Sequence, residues 1–138
     1  MQIFLKTEAT PEVIENAKPD VVIVATGSVP LIPKIRGSEG QAVVTARDIL
    51  AGRVEAGQRV VVVGGGQVGC ECADYLAEKG RTVTIVEMLE ELAPDMYDTG
   101  MKSWLILTSF PQNRVTVLTR TKVEEITGEG VVCIDENK

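Results

Sequence analysis

The chain has 138 residues, 44% of them hydrophobic and 25% charged, with a formal net charge of −6. That length suits one compact domain and is too short for two, and the composition excludes a disordered or fibrous chain. The acidic balance argues against a nucleic-acid or anionic-membrane surface, and the absence of histidine removes the commonest general base and every Ser-His or Cys-His nucleophile.

Along the chain, Ile3–Leu5 reads as a short strand and Pro11–Ala17 as a small helix, with Thr10 as its N-cap and Pro11 in its first turn. Asp20–Ala25 is a continuous β-branched run, the pattern of a parallel strand buried on both faces. Thr26-Gly27-Ser28 ends it, and a connector holding Pro30, Pro33 and Gly37 follows. Ala46–Leu50 reads as one or two helical turns. Arg59–Val63 is a second strand expected to be buried on both faces. From Gln67 to Lys79, Val68, Cys72, Tyr75 and Leu76 recur at a helical period with the Lys79 stem, and Gly80 stands at the expected C-cap. Thr82–Val86 is the next strand, so strand, helix and strand form a parallel crossover. After a loop containing Glu90, Glu91, Pro94 and Asp95, Met101–Phe110 reads as a helix with Trp104, Leu105 and Leu107 inward. Pro111-Gln112-Asn113 ends it, and Val115–Leu118 returns to the sheet. Lys122–Ile126 and Val131–Ile134, joined through Gly128-Glu129-Gly130, read as a β-hairpin.

No stretch approaches the ~20 apolar residues of a membrane span. The opening Met1–Lys6 lacks the basic and apolar regions of a secretory leader. Cys70, Cys72 and Cys133 have neither disulfide-framework nor zinc-like spacing, and helical side chains two apart do not face each other. A soluble, cytoplasmic protein with structural thiols, no metal site and no nucleic-acid or membrane partner is expected; its oligomeric state is not legible.

Gly64-Gly65-Gly66-Gln67-Val68-Gly69 fits G-x-G-x-x-G between a strand and a helix, followed by a second strand that ends in an acid. In this setting Gly64 permits the tight turn, Gly66 lets the backbone approach a pyrophosphate, and Gly69 permits close helix–strand packing. The helix N-terminus supplies unpaired N–H groups and a positive dipole. Glu87, 18 residues beyond Gly69 and followed by Met88, can accept bonds from both hydroxyls of an adenosine ribose. Glu87–Glu91 holds no Arg or Lys to neutralise a 2′-phosphate, so NAD(H) is expected over NADP(H) by at least ~1.4 kcal/mol, or tenfold. A structural glycine turn in another α/β fold, with a solvated strand-end acid, is the plainer alternative. Glu71 is read as a first-turn carboxylate favoured by the helix dipole. No residue is assignable as a catalytic acid or base.

With these motifs in order, the chain resembles the pyridine-nucleotide-disulfide oxidoreductase superfamily. It is most similar to the nucleotide-binding part of NADH:flavin oxidoreductases related to 2,4-dienoyl-CoA and enoate reductases. The resemblance rests on Pro19–Gly27, Ala46–Gly52, Val60–Glu87 and Thr119–Ile126. It implies an α/β, Rossmann-like parallel sheet with a β-hairpin or meander, incomplete at both ends. Residues 1–35 would be a remnant of the flavin-binding domain with its connector, and 36–138 an NAD(H)-binding domain truncated before its last strand. Ala25, Thr26 and Gly27 would then end a flavin-domain strand close to FAD. Glu71 would lie near the nicotinamide, although the lysine that pairs with it in related reductases is not identifiable. The weak echo of Ile3–Ala9 in Val117–Val123 would reflect two domains built on related folds.

The resemblance further implies that the remaining domains of the parent chain are partners, with FMN and an iron–sulfur centre as possible further cofactors outside this chain. Hydride would pass from NADH to FAD and on to another acceptor. The isolated chain is expected to be inactive and colourless. A vacant slot beside Arg59–Val63 could accept Val21–Ala25. Two other functions stand beside this one. One is a domain that holds ADP for structure or sensing without hydride transfer. The other is an FAD-binding Rossmann domain, disfavoured because Ala25-Thr26-Gly27 precedes the glycine fingerprint.

Overall fold

A computed structural model describes residues 2–94, 96 and 100–135. In chain order its elements are α1 (Pro11–Ala17), α2 (Ala46–Leu50), β1 (Arg59–Val63), α3 (Gln67–Glu78), β2 (Thr82–Val86), α4 (Met101–Trp104), a π-helical stretch (Leu105–Ser109), α5 (Phe110–Asn113), β3 (Thr116–Leu118), β4 (Thr121–Ile126) and β5 (Val131–Asp135). β1, β2 and β3 form a parallel sheet in that order, with Val62 opposite Ile85 and Ile85 opposite Val117. β4 and β5 form an antiparallel hairpin with an irregular register between Val123 and Glu125.

The core lies between the sheet and one helical layer. Val83 and Ile85 project from β2 into Cys70, Ala73 and Leu76 of α3 and Phe110 of α5, and β-branched residues on the pleat suit that packing. Burial of side chains of this size contributes roughly 1.5–3 kcal/mol each. α2 joins the same core through Ile49; the Thr45 hydroxyl caps it by accepting from Asp48 N–H. Gly80 closes α3 with φ +76, and Lys79 Nζ lies 4.8 Å from the Tyr75 ring centroid.

The helix over 101–113 is continuous but widens at its centre. Pro111 has no N–H to donate to the preceding turn, and Phe110 N–H bonds to Leu105 O, five residues back. This step puts Leu105, Ser109 and Phe110 on the buried side. Leu105 faces inward as expected, whereas Leu107 is 75% exposed and Trp104 also faces out. The Ser109 hydroxyl donates to the Asp74 carboxylate on α3 and accepts from Asn113 Nδ2 at 3.1 Å. Pro111-Gln112-Asn113 forms the last turn, and Arg114 ends it in the left-handed region at φ 55.

The two β-branched runs differ from expectation. β1 is a strand, but Val61 and Val63 are exposed, Val63 at 41%. Helices cover only one face of the sheet here, and among the described residues the sheet gives β1 one neighbour, β2. Asp20–Ala25 forms no strand at all: Val21, Val22, Ile23 and Val24 are exposed, Ile23 at 86%. A parallel strand needs ladder partners, and this run pairs with neither β1 nor any other strand, so it does not occupy the slot beside β1. Ile3–Leu5 is likewise not a strand, and the echo with Val117–Val123 is not repeated in structure.

α1 forms as expected, with Val13 N–H donating to the Thr10 hydroxyl at 3.4 Å, yet it buries no residue. Pairing begins again at Arg36, which bridges to Glu125 in parallel sense, with Ile126 N–H on Arg36 O at 2.8 Å. Gly37, at φ +83, lies against Ile126 so closely that a side chain would overlap its carbonyl. Glu90, Glu91 and Pro94 lie in a loop as expected; Asp95 is outside the described residues. No helix among the described residues is long and apolar enough to cross a membrane.

Candidate dinucleotide site

At the end of β1 the chain reverses through Gly64, whose φ of +99 is left-handed and whose N–H bonds to Val86 O at 2.9 Å. Gly66 is the N-cap of α3, with extended backbone, no capping side chain and no acid in the first turn. The dipole at the N-terminus of α3 favours an anion there. Gly69 packs on the loop itself, because a Cβ there would overlap the Gly64 carbonyl. This matches the close packing expected of it.

Glu87 follows β2 and is only 7% exposed. One carboxylate oxygen accepts Gly65 N–H at 2.6 Å and the other accepts Leu89 N–H at 2.7 Å. Charge-assisted bonds to backbone N–H are roughly twice as strong as neutral ones. A carboxylate has about four lone-pair sites, so each oxygen keeps capacity for a hydroxyl donor. Gly65 is held from its other side too. Its carbonyl accepts Ala93 N–H at 2.7 Å and lies 3.3 Å from the donating Cys70 thiol. A Cβ on Gly65 would run into the Leu92 side chain.

These contacts add residues that the motif did not indicate. Cys70, Leu92 and Ala93 surround Gly65, and no sequence spacing marks them. Arg120, in the turn between β3 and β4 at φ 50, donates its N–H to Leu89 O at 2.8 Å and its guanidinium to the Glu90 carboxylate. A cation therefore does reach the loop after Glu87, from 33 residues further along the chain, and it meets an acid there.

The other sequence-derived residues are placed as follows. Gln67 and Val68 are exposed in the first turn of α3; Val68, at 56%, is not on the buried face expected for it. Glu71 is the fifth residue of the helix, beyond the first turn where it was expected, and its carboxylate accepts from Gln67 Nε2 at 3.1 Å. Met88 is exposed beside Glu87. Ala25, Thr26 and Gly27 lie in the exposed extended segment, outside the sheet that carries the glycine loop. Cys70, Cys72 and Cys133 are free thiols; burial pushes Cys72 and Cys133 above the ordinary thiol range, away from the reactive thiolate.

A glycine turn at a helix N-terminus, followed by a strand that ends in an acid, is the pattern used by dinucleotide-binding folds. The family model for pyridine nucleotide-disulphide oxidoreductases matches residues 3–138. The chain belongs to this family. Relatives include an NADH oxidase of Thermoanaerobacter brockii, 44% identical over 130 residues that make up 91% of this chain and 20% of that protein. A bilirubin reductase of Mediterraneibacter gnavus is 42% identical over 131 residues, 95% of this chain and 20% of that protein. Among solved structures, a 2-naphthoyl-CoA reductase in complex with 2-naphthoyl-CoA superimposes with a TM-score of 0.76 at 32% identity, covering 95% of this chain and 20% of that one. This family member thus spans about a fifth of the length of these relatives.

Proposed function

We propose that residues 36–138 form the NAD(H)-binding domain of a flavin-dependent oxidoreductase, and that 1–35 belong to its flavin-binding domain and connector. The observation that carries this reading is the bond between Gly65 N–H and the Glu87 carboxylate at the bare N-terminus of α3. It puts anion donors and a hydroxyl acceptor side by side. Of the loop Gly64, Gly65, Gly66, Gln67, Val68 and Gly69, the stretch from Gly66 onward would present backbone to the pyrophosphate. The N–H groups of Gly64 and Gly65 are bonded to Val86 O and Glu87 and shape the turn. The remaining lone pairs of Glu87 would accept the ribose hydroxyls with Met88 alongside. The donor set fits the ADP half of the cofactor.

Bound NADH supplies a hydride, destined for FAD and then a further acceptor; the protein's part is positioning. Ala25, Thr26 and Gly27 alone do not make a flavin site, so FAD, and any FMN or iron–sulfur centre, would be held by other parts of the parent enzyme. Relatives named as an NADH oxidase and as reductases support the reading. The 2′-phosphate of NADP would meet Glu87, Glu90 and Glu91, and the nearby Arg120 is engaged with Glu90.

Calorimetric titration of the chain with NADH, NADPH and ADP tests this. NADH is expected to bind at least about tenfold more tightly than NADPH, and Glu87→Ala should weaken NADH and narrow that gap. Preference for NADPH in the unaltered chain would overturn the specificity. Equal affinities for ADP and NADH would instead favour a domain that holds a nucleotide without reacting it. The purified chain should be colourless, and a stoichiometric flavin absorbance would refute the assignment of flavin to other parts of the enzyme.

A further inference from the structure

The Glu87 carboxylate is bonded directly to the glycine loop, through Gly65 N–H. We infer that Glu87 is also a positioning residue for the phosphate site, holding the Gly65 peptide so that the loop donors stay aimed at a pyrophosphate. This rests on the nucleotide-binding reading above and extends it from the ribose to the neighbouring subsite.

Gly65 is anchored through both of its backbone polar groups. Its N–H is taken by Glu87 at 2.6 Å, and its carbonyl by Ala93 N–H at 2.7 Å and the Cys70 thiol at 3.3 Å. Glycine has the widest backbone freedom of any residue, and three successive glycines would otherwise be the least ordered part of the fold. The anchors themselves are fixed: Glu87 N–H bonds to Leu118 O at 2.8 Å, Thr121 N–H bonds to Glu87 O at 2.9 Å, and Leu89 is tied to both Glu87 and Arg120. Strand β3 and the turn after it therefore set the position of the carboxylate, and the carboxylate sets the loop. A ligand that needs only the phosphate donors benefits from that order, because less conformational freedom is lost when it binds.

The two roles separate with a ligand that has the phosphates and lacks the hydroxyls, 2′,3′-dideoxyadenosine 5′-diphosphate. Loss of a bond to a charged group is worth about tenfold or more in affinity. Glu87→Ala is therefore expected to weaken the dideoxy ligand by about tenfold, and Glu87→Gln, which keeps the shape but turns one acceptor into a donor, by a smaller factor. An affinity for the dideoxy ligand within about twofold of the unaltered chain in both variants would confine Glu87 to the ribose and overturn the inference. Amide hydrogen exchange is the second readout. Gly65 and Leu89 N–H should exchange at least about tenfold faster in Glu87→Gln, with the amides of β2 unchanged; unchanged exchange at Gly65 would also overturn it. If the unaltered chain binds neither NADH, ADP nor the dideoxy ligand, the nucleotide reading itself fails, and the exchange result still decides whether Glu87 holds the loop.

Discussion

Two stretches of this chain are nearly the same in sequence and opposite in structure. Val60-Val61-Val62-Val63 is a strand in register with β2, whereas Val21-Val22-Ile23-Val24 belongs to no strand and is exposed. β-branched residues make both segments ready for a pleated sheet, yet a strand requires ladder partners and a layer to pack against. β1 obtains its ladder from Thr82–Val86 and its cover from α3. The earlier run has neither among the described residues. The same contrast separates the two short helices: both are capped by threonine, and only α2 buries a residue.

Paired isoleucines give the strongest way to break this contrast. Ile85 is fully buried and Ile23 is exposed. Ile85→Ala should cost ~2–5 kcal/mol through lost transfer energy and a residual cavity, while Ile23→Ala should stay within ~0.5 kcal/mol. Urea unfolding of the two variants checks this, and a comparable loss at Ile23 would show that the early run is packed after all.

Paired glycines come next. Gly69→Ala forces a methyl group into the Gly64 carbonyl, so α3 must move off the loop. Overpacking of this kind typically costs ~1–3 kcal/mol, and NADH affinity should fall by about tenfold or more. Gly27 has φ +84 but open space around it, and Gly27→Ala should leave the affinity of the chain unaltered. Equal effects in the titration would bring Gly27 into the same site.

The smallest effect separates the caps. Thr45→Ala should destabilise the fold by ~1 kcal/mol, because α2 is docked through Ile49. Thr10→Ala should reduce the helicity of α1 and leave the unfolding midpoint where it is. Acid acts on the same cap. Hydrogen bonds from the Thr45 hydroxyl and then from Arg53 hold the Asp48 carboxyl below the ordinary carboxylate range. A depressed carboxyl stabilises the folded state above its unfolded value, and the contribution is lost as pH falls through the folded value. A urea series between pH 7 and 3 should therefore show the Asp48→Asn variant losing less stability on acidification than the unaltered chain.

The β1–α3–β2 unit was legible because its signals are local: β-branched runs, glycines at fixed offsets, and an acid at the strand end. The hairpin was legible for the same reason, through Gly128 and Gly130. What escaped the sequence was set by neighbours. Val61 and Val63 are exposed because of which face the helices cover, and no property of the run states that. Trp104 and Leu107 were assigned inward, but the π-helical stretch ahead of Pro111 changes which side chains share a face. The turn at Gly64 and the close packing at Gly69 were legible from the motif. The bond from Glu87 to Gly65, and the arrival of Arg120 beside Glu90, depend on a turn and a loop distant in sequence.

The bridge between Arg36 and Glu125 ties the segment ahead of α2 to the hairpin. Glu125 also pairs with Val132 on β5, so Arg36 and the start of β5 flank β4 on its two sides, about 10 Å apart. β4 is thereby paired on both edges at Glu125, so its ladder at that point is closed to another chain.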